Sequence, residues 1–313
     1  MQHLRIICPP TDTDEICAML EEHCGVTNVV VLSGAAREPA GDVVMCDIAR
    51  EAVNDVLDRL DALGVDHTGS IAMQRVDLSV SEGADNAEEA APGEGDDAVV
   101  WEELAQRVDQ SSRFTWSYAA FLAVAVQIAA IGVVQDSPIL IVGAMVLGPE
   151  FGPIAAISLW SLHGEFRRIG VAASTLVLGF LLAIAVTCVC AYVSYRWGWI
   201  DPSLLDGTGR ETQFIVKPDK WSFIVALLAG VAGILSVTSD KSSSLVGVFI
   251  SVTTVPAAAY IALAAALSHW SEVTPSAIQL GVNIAGMVTA GIATLVAQRI
   301  IFGRAGLRDR LSR

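Results

Sequence analysis

The sequence predicts a polytopic α-helical membrane protein with a small soluble α+β domain at its N-terminus. Hydrophobic residues make up 53% of the 313 residues, and charged residues only 17%. Residues 1–110 hold 24 acidic against 6 basic side chains, whereas residues 111–313 hold 10 against 13. Six apolar stretches in the second part are each near the about 20 residues that a helix needs to cross a bilayer. An acidic soluble part is therefore joined to a membrane part.

Residues 1–80 are predicted to form a ferredoxin-like domain with the order βαββαβ. Alternating or β-branched residues indicate four strands, in "HLRIIC", "TNVVVLSG", "GDVVMCDIA" and "TGSIAMQRVDL". Capping residues and helical spacing indicate two helices, in "TDTDEICAMLEEHC" and "REAVNDVLDRLDALG". This part shows no phosphate-binding glycine loop and no His/Asp/Ser set, so its pattern indicates no particular chemistry.

The cysteines and the charge of the soluble part exclude several classes of partner. Four of the six cysteines lie here, without a CxxC pair, and "MQHLRIICPP" lacks the apolar core of a signal peptide. We therefore expect reduced cytosolic thiols, with no metal and no cofactor. Nucleic acid is not an expected partner, because phosphates require a basic face.

Two short segments are predicted between the domains. Residues 81–98 are rich in Glu, Asp, Gly and Ala, so we expect an acidic flexible linker. Residues 99–113 place apolar side chains at helical spacing. They are expected to form an amphipathic helix that lies on the membrane surface or against the helix bundle.

The transmembrane domain is predicted over residues 114–300, with a basic cytoplasmic tail over 301–313. Tryptophans fall at the ends of the apolar stretches, where their rings favour the membrane interface. The six predicted spans are 115–134, 138–161, 169–195, 221–238, 243–268 and 276–298. The tryptophans are Trp116, Trp160, Trp197, Trp199, Trp221 and Trp270.

The basic residues predict the orientation. With a cytoplasmic N-terminus, the inner side holds ten Lys and Arg residues near the spans and the outer side holds four. This bias favours a cell-membrane protein with both termini in the cytoplasm.

The two halves of the membrane part show an internal similarity at an offset of 104 residues. Asp136 corresponds to Asp240, and Val142-Gly143 to Val246-Gly247. Each half holds three predicted spans, and an odd number of spans per repeat gives the halves opposite orientations. The sequence therefore predicts two inverted three-helix repeats, an arrangement seen in many transporters.

The second and fifth spans carry helix-breaking residues and are the predicted binding region. Carbonyls freed by a break need partners in protein or in a polar cavity, because lipid offers none. We therefore predict a membrane-embedded site for an ion or small solute. Its candidate residues are Gly148, Pro149, Glu150, Gly152, Pro153, Thr253, Thr254, Pro256 and Asn283.

Three blocks of the membrane part resemble the domain of unknown function 389 family. They are "DSPILIVGAMVLGPEFGP", "AGVAGILSVTSDKSSSLVGVFISVTTVPAAAYIALA" and the last span with its Asn283. The resemblance covers about residues 115–300 and implies an uncharacterised prokaryotic membrane protein with a cytoplasmic N-terminal region. This chain has Val255-Pro256 where many members have two prolines, and Glu150 where an apolar or small polar residue is common. The family name implies no activity.

Two interpretations of Glu150 remain open from sequence. A charged carboxylate in a span costs about 2.5–3.5 kcal/mol on insertion scales, so it should face a cavity or a partner. It can bind a proton or a cation at the break. Alternatively, the segment folds back as a hairpin, and Glu150 lies near the headgroups or caps a half-helix. Gly143 and Gly247 are predicted to allow close helix packing or to act as hinges.

Two functional hypotheses follow. The first is a transporter or channel-like protein, proton- or cation-linked through Glu150, that assembles as a homo-oligomer in the lipid membrane. The second is a membrane-anchored sensor or scaffold whose cytoplasmic domain binds a regulator or mediates oligomerisation. We expect no enzyme, because Glu150 with the distant Cys188 and Cys190 does not supply a nucleophile and a base together.

Overall fold

The computed structural model describes residues 1–91, 93, 95, 98–201, 220–239 and 254–311, with side chains omitted for 220 and 302–311. The chain divides into two compact units. The first comprises Met1–Leu104 together with Thr238–Asp240 and Gln298–Arg313, and the second comprises Ala105–Val237 and Lys241–Ala297. Each unit is described by itself.

The first unit is built on a four-stranded antiparallel sheet. Its elements are β1 (Gln2–Cys8), α1 (Thr13–Glu22), β2 (Val26–Arg37), β3 (Ala40–Ile48), α2 (Val53–Ala62), α3 (Val65–Thr68) and β4 (Ser70–Arg75). The strand order is β2-β3-β1-β4. This is the split arrangement of a ferredoxin-like domain, and the βαββαβ order predicted from the sequence is observed.

Apolar side chains on one face of this sheet pack against helices α1 and α2. Alternate residues of β1 and β3 are buried, among them Ile6 and Cys46, and they meet Ile16 of α1 and Val56 of α2 in one cluster. Period-two burial of this kind is what the sequence alternation predicts. Burial raises the pKa of the Cys46 thiol to about 12, so this thiol is neutral at physiological pH.

The prediction of a flexible linker over 81–98 is wrong for its first half. Helix α4 (Glu82–Ala90) begins there, with the Ser81 side chain accepting a hydrogen bond from the Ala84 amide. Ala84 and Ala87 are buried, and α4 packs against β2 and β3. The prediction followed from the acidic composition and overlooked that the alanines of this segment lie on one face of a helix. This alanine face is enough to pack a short helix against the sheet.

From Trp101 onwards, the described chain consists of helices. They are α6 (Trp116–Val134), α7 (Pro138–Leu147), α8 (Phe151–His163), α9 (Phe166–Arg196), α10 (Lys220–Thr238), α11 (Val255–Ala266) and α12 (Trp270–Leu311). The predicted amphipathic helix is α5 (Trp101–Ser111), which begins in the first unit. The tail predicted from residue 301 continues α12 to Leu311.

Four helices are long and apolar enough to cross a membrane, namely α6, α9, α10 and most of α12. Helices α7 and α8 make a fifth candidate together, bent by 53° at the break between them. The twelve-residue α11 covers only the second half of the predicted fifth span, whose first half lies outside the described residues. The described helices thus supply four to five candidate spans.

Helix boundaries in the two halves of the membrane part coincide at the offset of 104 residues. Helix α6 runs from 116 to 134 and α10 from 220 to 238, α8 begins at 151 and α11 at 255, and α9 begins at 166 and α12 at 270. The turns before α9 and α12 also match. Gly164 and Ser268 both adopt left-handed φ, of 72° and 64°.

The helices expose large apolar side chains, as expected of surfaces that face lipid. Most of the predicted interface tryptophans are exposed too. Large apolar side chains such as Leu181, Val189 and Leu228 are more than half exposed. Five of the six interface tryptophans are also exposed, but Trp160 is buried. Its indole donates to the Asp109 carboxylate of α5 at 3.0 Å, so Trp160 holds α5 against the bundle and does not lie at the interface as predicted.

Stability of the first unit should fall in acid through Asp42. The Gly34 amide and the Thr13 hydroxyl donate to its carboxylate at 2.7 and 2.8 Å. These hydrogen bonds lower the pKa of Asp42, so they stabilise the folded state above about pH 4 and are lost as the pH falls below it. At pH 7, the Asp42→Asn variant should show lower hydrogen-exchange protection of the β1 and β3 amides than the wild type. The protection should also depend less on pH in the acid range in this variant. The exposed Asp58→Asn is the control, and equal acid profiles for the two variants would contradict this assignment.

Candidate functional site

The second predicted span is interrupted once, between α7 and α8. Gly148 ends α7 with extended backbone, Pro149 follows it, and Glu150 is the N-cap residue of α8. Gly152 and Pro153 lie in the first turn of α8, where a proline removes no helix hydrogen bond. Pro153 therefore fits the first turn of α8 and does not break the helix.

Gly152 is needed for close packing. A Cβ atom at this position would lie 2.7 Å from the Ser111 carbonyl oxygen at the end of α5. The first turn of α8 and the last turn of α5 therefore touch through backbone. The α5 helix thus fixes the start of α8.

Glu150 and Thr254 meet in the interior of the membrane part. Both residues are fully buried, and the Thr254 hydroxyl donates to Glu150 Oε1 at 2.7 Å. Thr254 is the N-cap residue of α11, as Glu150 is of α8, and Pro256 lies in the first turn of α11. The two residues are 104 positions apart, which is the offset between the two halves.

The N-termini of two helices therefore converge on one buried carboxyl group. Each helix N-terminus carries a partial positive charge of roughly half an elementary charge from its unpaired amides. The starts of α8 and α11 therefore place two such partial charges near Glu150, and neither Glu150 nor Thr254 accepts a capping hydrogen bond from its own helix. The hydroxyl of Tyr118 on α6 is also buried and has no hydrogen-bond partner among the described residues.

Asn283 lies at a cavity of about 510 Å³ between α10 and α12. Its side chain is buried, as is that of Gln279 one turn earlier, and Ser222 of α10 lines the same space. The Gln279 carbonyl oxygen has no hydrogen-bond partner among the residues that the structure describes. Sequence reasoning found Asn283 as an amide in an apolar span but missed Gln279, which carries the same signal.

The remaining predicted site residues fall into two groups. Thr253 and Gly247 lie outside the described residues. Gly143 lies on the exposed side of α7, and a Cβ atom there would meet nothing within 4 Å. The close packing predicted for Gly143 is therefore not observed within this chain, whereas Gly132 takes that role against Ile141 of α7, and Gly230 against Met287 of α12.

No metal centre is visible in the described part of the chain. Across residues 1–201, 220–239 and 254–311, with the gaps noted above, no three His, Cys, Asp or Glu side chains lie close enough together to share a metal ion. The candidate site consists of the Glu150 carboxyl group, the Thr254 hydroxyl group and the starts of α8 and α11.

These features define a class: a helical membrane protein with several apolar helices, one interrupted span and a buried polar contact at the interruption. Residues 145–289 of this chain match the model of the family described as "Domain of unknown function (DUF389)". The matched segment contains both Glu150 and Thr254. The resemblance seen in the sequence is confirmed.

A relative of this chain is an uncharacterized protein of Methanocaldococcus jannaschii, 26% identical over 176 residues. The alignment covers 56% of this chain and 52% of the relative, so the chain spans about half the length of the protein it matches. No solved structure is significantly similar to this chain.

Removing the Thr254 hydroxyl should destabilise the membrane part. Thr254→Val keeps the shape of the side chain but takes a donor from a buried carboxyl group, and we expect a loss of about 1–3 kcal/mol in the free energy of unfolding. Denaturant titration of the full chain in detergent measures this loss. The matched control is Thr289→Val, whose exposed hydroxyl bonds only its own helix at Ala285. An equal loss of unfolding free energy in both variants would show that the hydrogen bond to Glu150 does not stabilise the protein.

Proposed function

We propose that this protein is a membrane transporter or channel-like protein whose binding site lies where the two interrupted spans meet. The observation that supports this most directly is the buried hydrogen bond between Thr254 and Glu150. In many transporters, half-helix ends at the middle of the bilayer form the site for a substrate or a coupling ion. A chain that needed only a membrane anchor would not require two helix ends and a carboxyl group there.

We further propose that the membrane part consists of two inverted three-span repeats. The helix boundaries shared at the offset of 104 support this duplication. The Glu150–Thr254 contact supports it independently. Two equivalent residues of a duplicated chain can touch each other only at the two-fold axis that relates the repeats. Glu150 and Thr254 are such a pair, so the interruption lies on that axis.

The inverted arrangement requires that α7 and α8 cross the membrane as one span. A re-entrant hairpin would reverse its direction, whereas these two helices are bent by 53°. Helix α7 has 10 residues and α8 has 13. At a rise of about 1.5 Å per residue, their combined length is close to the thickness of the hydrocarbon layer, roughly 30 Å. We therefore favour six spans, with both termini cytoplasmic in the cell membrane.

Glu150 is the proposed coupling group for a proton or a cation. The two helix ends compensate its charge when it is ionised, so proton uptake would leave their positive ends uncompensated. Such an imbalance links the protonation of Glu150 to the packing of α8 against α11. This role is one of binding and coupling, and we do not propose an enzyme.

A second candidate function, that of a scaffold assembled through the soluble domain, is favoured by strand β2. This strand lies at the edge of the sheet and leaves Val30, Val31 and Leu32 each more than 40% exposed. Long apolar edge strands tend to pair with other chains. A homo-oligomer formed through β2 is compatible with both functions.

The inverted repeats can be tested with cysteines at Arg167 and Ser271, two exposed positions 104 residues apart at the starts of α9 and α12. In a background with Cys188 and Cys190 changed to Ala, we expect a membrane-impermeant maleimide added outside intact cells to label Ser271→Cys and not Arg167→Cys. Lysed cells provide the control for reactivity. Labelling of both positions from the same side would contradict the inverted arrangement.

Ion coupling can be tested with Glu150→Gln, which removes the charge but keeps an acceptor for Thr254. In liposomes that contain a pH-sensitive dye, the full-length protein should pass protons or alkali cations under an imposed potential, and the variant should pass them at least about tenfold more slowly. The exposed Glu165→Gln is the matched control. Unchanged flux in Glu150→Gln would contradict coupling through Glu150. If liposomes with the wild-type protein pass no ions, the result would favour the second candidate function, that of a scaffold.

A further inference from the structure

A second cavity lies away from the interruption, between the C-terminal halves of α6 and α9. Its volume is about 300 Å³, and Leu263 of α11 closes one side. Trp199 and Ile200, which follow α9, line it as well. The cavity contains neither Glu150 nor Thr254, and its role does not depend on transport.

Thr187 of α9 is the side chain that distinguishes this cavity from a packing gap. The residue is 2% exposed, and its hydroxyl has no hydrogen-bond partner in the described part of the chain, not even in its own helix. A buried hydroxyl without a partner costs about 1–3 kcal/mol. Thr187 lines the cavity, and its hydroxyl, which is closed off in the observed side-chain conformation, would reach a bound molecule after rotation about χ1.

The other polar groups around the cavity are neutral. Gln127 of α6 and Gln135, which follows α6, contribute amides, and Ser194 of α9 contributes a hydroxyl. Among the described lining residues none is charged. A charged ligand would therefore lose its hydration without gaining a counter-charge, which disfavours ions and ionised metabolites.

The apolar part of the wall limits the ligand further. Ala130, Ile131, Leu263 and the Trp199 ring form most of the lining. A cavity with apolar walls and a few convergent hydrogen-bonding groups is typical of small-molecule sites. A ligand that fits has several hydroxyl groups and an apolar face that can lie against an aromatic ring.

We propose that the cavity between α6 and α9 binds a small uncharged polyol or sugar through Thr187 and Gln127. Thr187 supplies a buried hydroxyl, and Gln127 supplies an amide that can both donate and accept. The Trp199 ring covers the apolar face of the ligand.

The test is the change in Tm of the full-length protein in nanodiscs on titration with glucose and with myo-inositol, compared with the charged analogues glucuronate and glucosamine. Uncharged solutes stabilise most proteins by exclusion, so the informative quantity is the difference between wild type and Thr187→Val. We expect an apparent affinity about tenfold weaker in the variant, and no specific shift with the charged analogues.

Two comparisons make this test decisive. Thr175→Val is the matched control, because Thr175 is equally buried on α9 but does not line the cavity, and it should keep the wild-type response. Without ligand, Thr187→Val should be at least as stable as wild type, because it removes an unsatisfied hydroxyl. A large loss of stability in Thr187→Val, or equal responses in wild type and Thr187→Val, would overturn the proposal and leave the cavity to water or a lipid chain.

Discussion

The membrane part depends on one constraint: a backbone interruption inside lipid must satisfy its polar groups within the protein. The interruption at Gly148-Pro149 frees peptide groups and exposes the amides that begin α8. The chain meets this constraint by placing a second helix start, that of α11, against the first. The Glu150 carboxyl group, at the start of α8, then accepts a hydrogen bond from the Thr254 hydroxyl at the start of α11. Each half of the arrangement would be unfavourable alone.

The same constraint explains why small residues surround the interruption. Gly152 lets α8 reach the carbonyl of Ser111, and Gly233 of α10 leaves room for the Phe151 ring at the start of α8. Farther along α8, the Ser158 hydroxyl donates to the Val288 carbonyl of α12 at 3.3 Å beside Gly291. These contacts hold the half-helix by close packing, which is the main source of helix association in lipid. The carboxyl group is thus fixed by its surroundings and not by its own span.

Much of this architecture was predictable from sequence, because its signals are local. Periodicity predicted the strands and the long helices, and the offset of 104, read from Asp136 and Asp240 and from two Val-Gly pairs, agrees with the shared helix boundaries. Features that depend on a distant partner were missed. Helix α4 depends on the sheet that its alanines cover, Trp160 depends on Asp109 of α5, and the pairing of Glu150 with Thr254 depends on how the starts of α8 and α11 meet. No sequence window contains both partners of these contacts.

Under the proposed duplication, the two halves differ at the positions where a solute path would run. Tyr118 corresponds to Ser222, and Gly179 to Asn283. In the first half the Tyr118 ring occupies the space over Gly179, where a Cβ atom would lie 2.6 Å from its Cε1 atom. In the second half a serine replaces the ring, and the cavity beside Asn283 and Gln279 remains. Equivalent helix pairs are therefore packed on one side of the axis and open on the other. Inverted repeats in transporters alternate between two such packings around a fixed site. Under the proposed transport function, a side chain as large as Tyr118 at one end only makes these two packings unequal in energy.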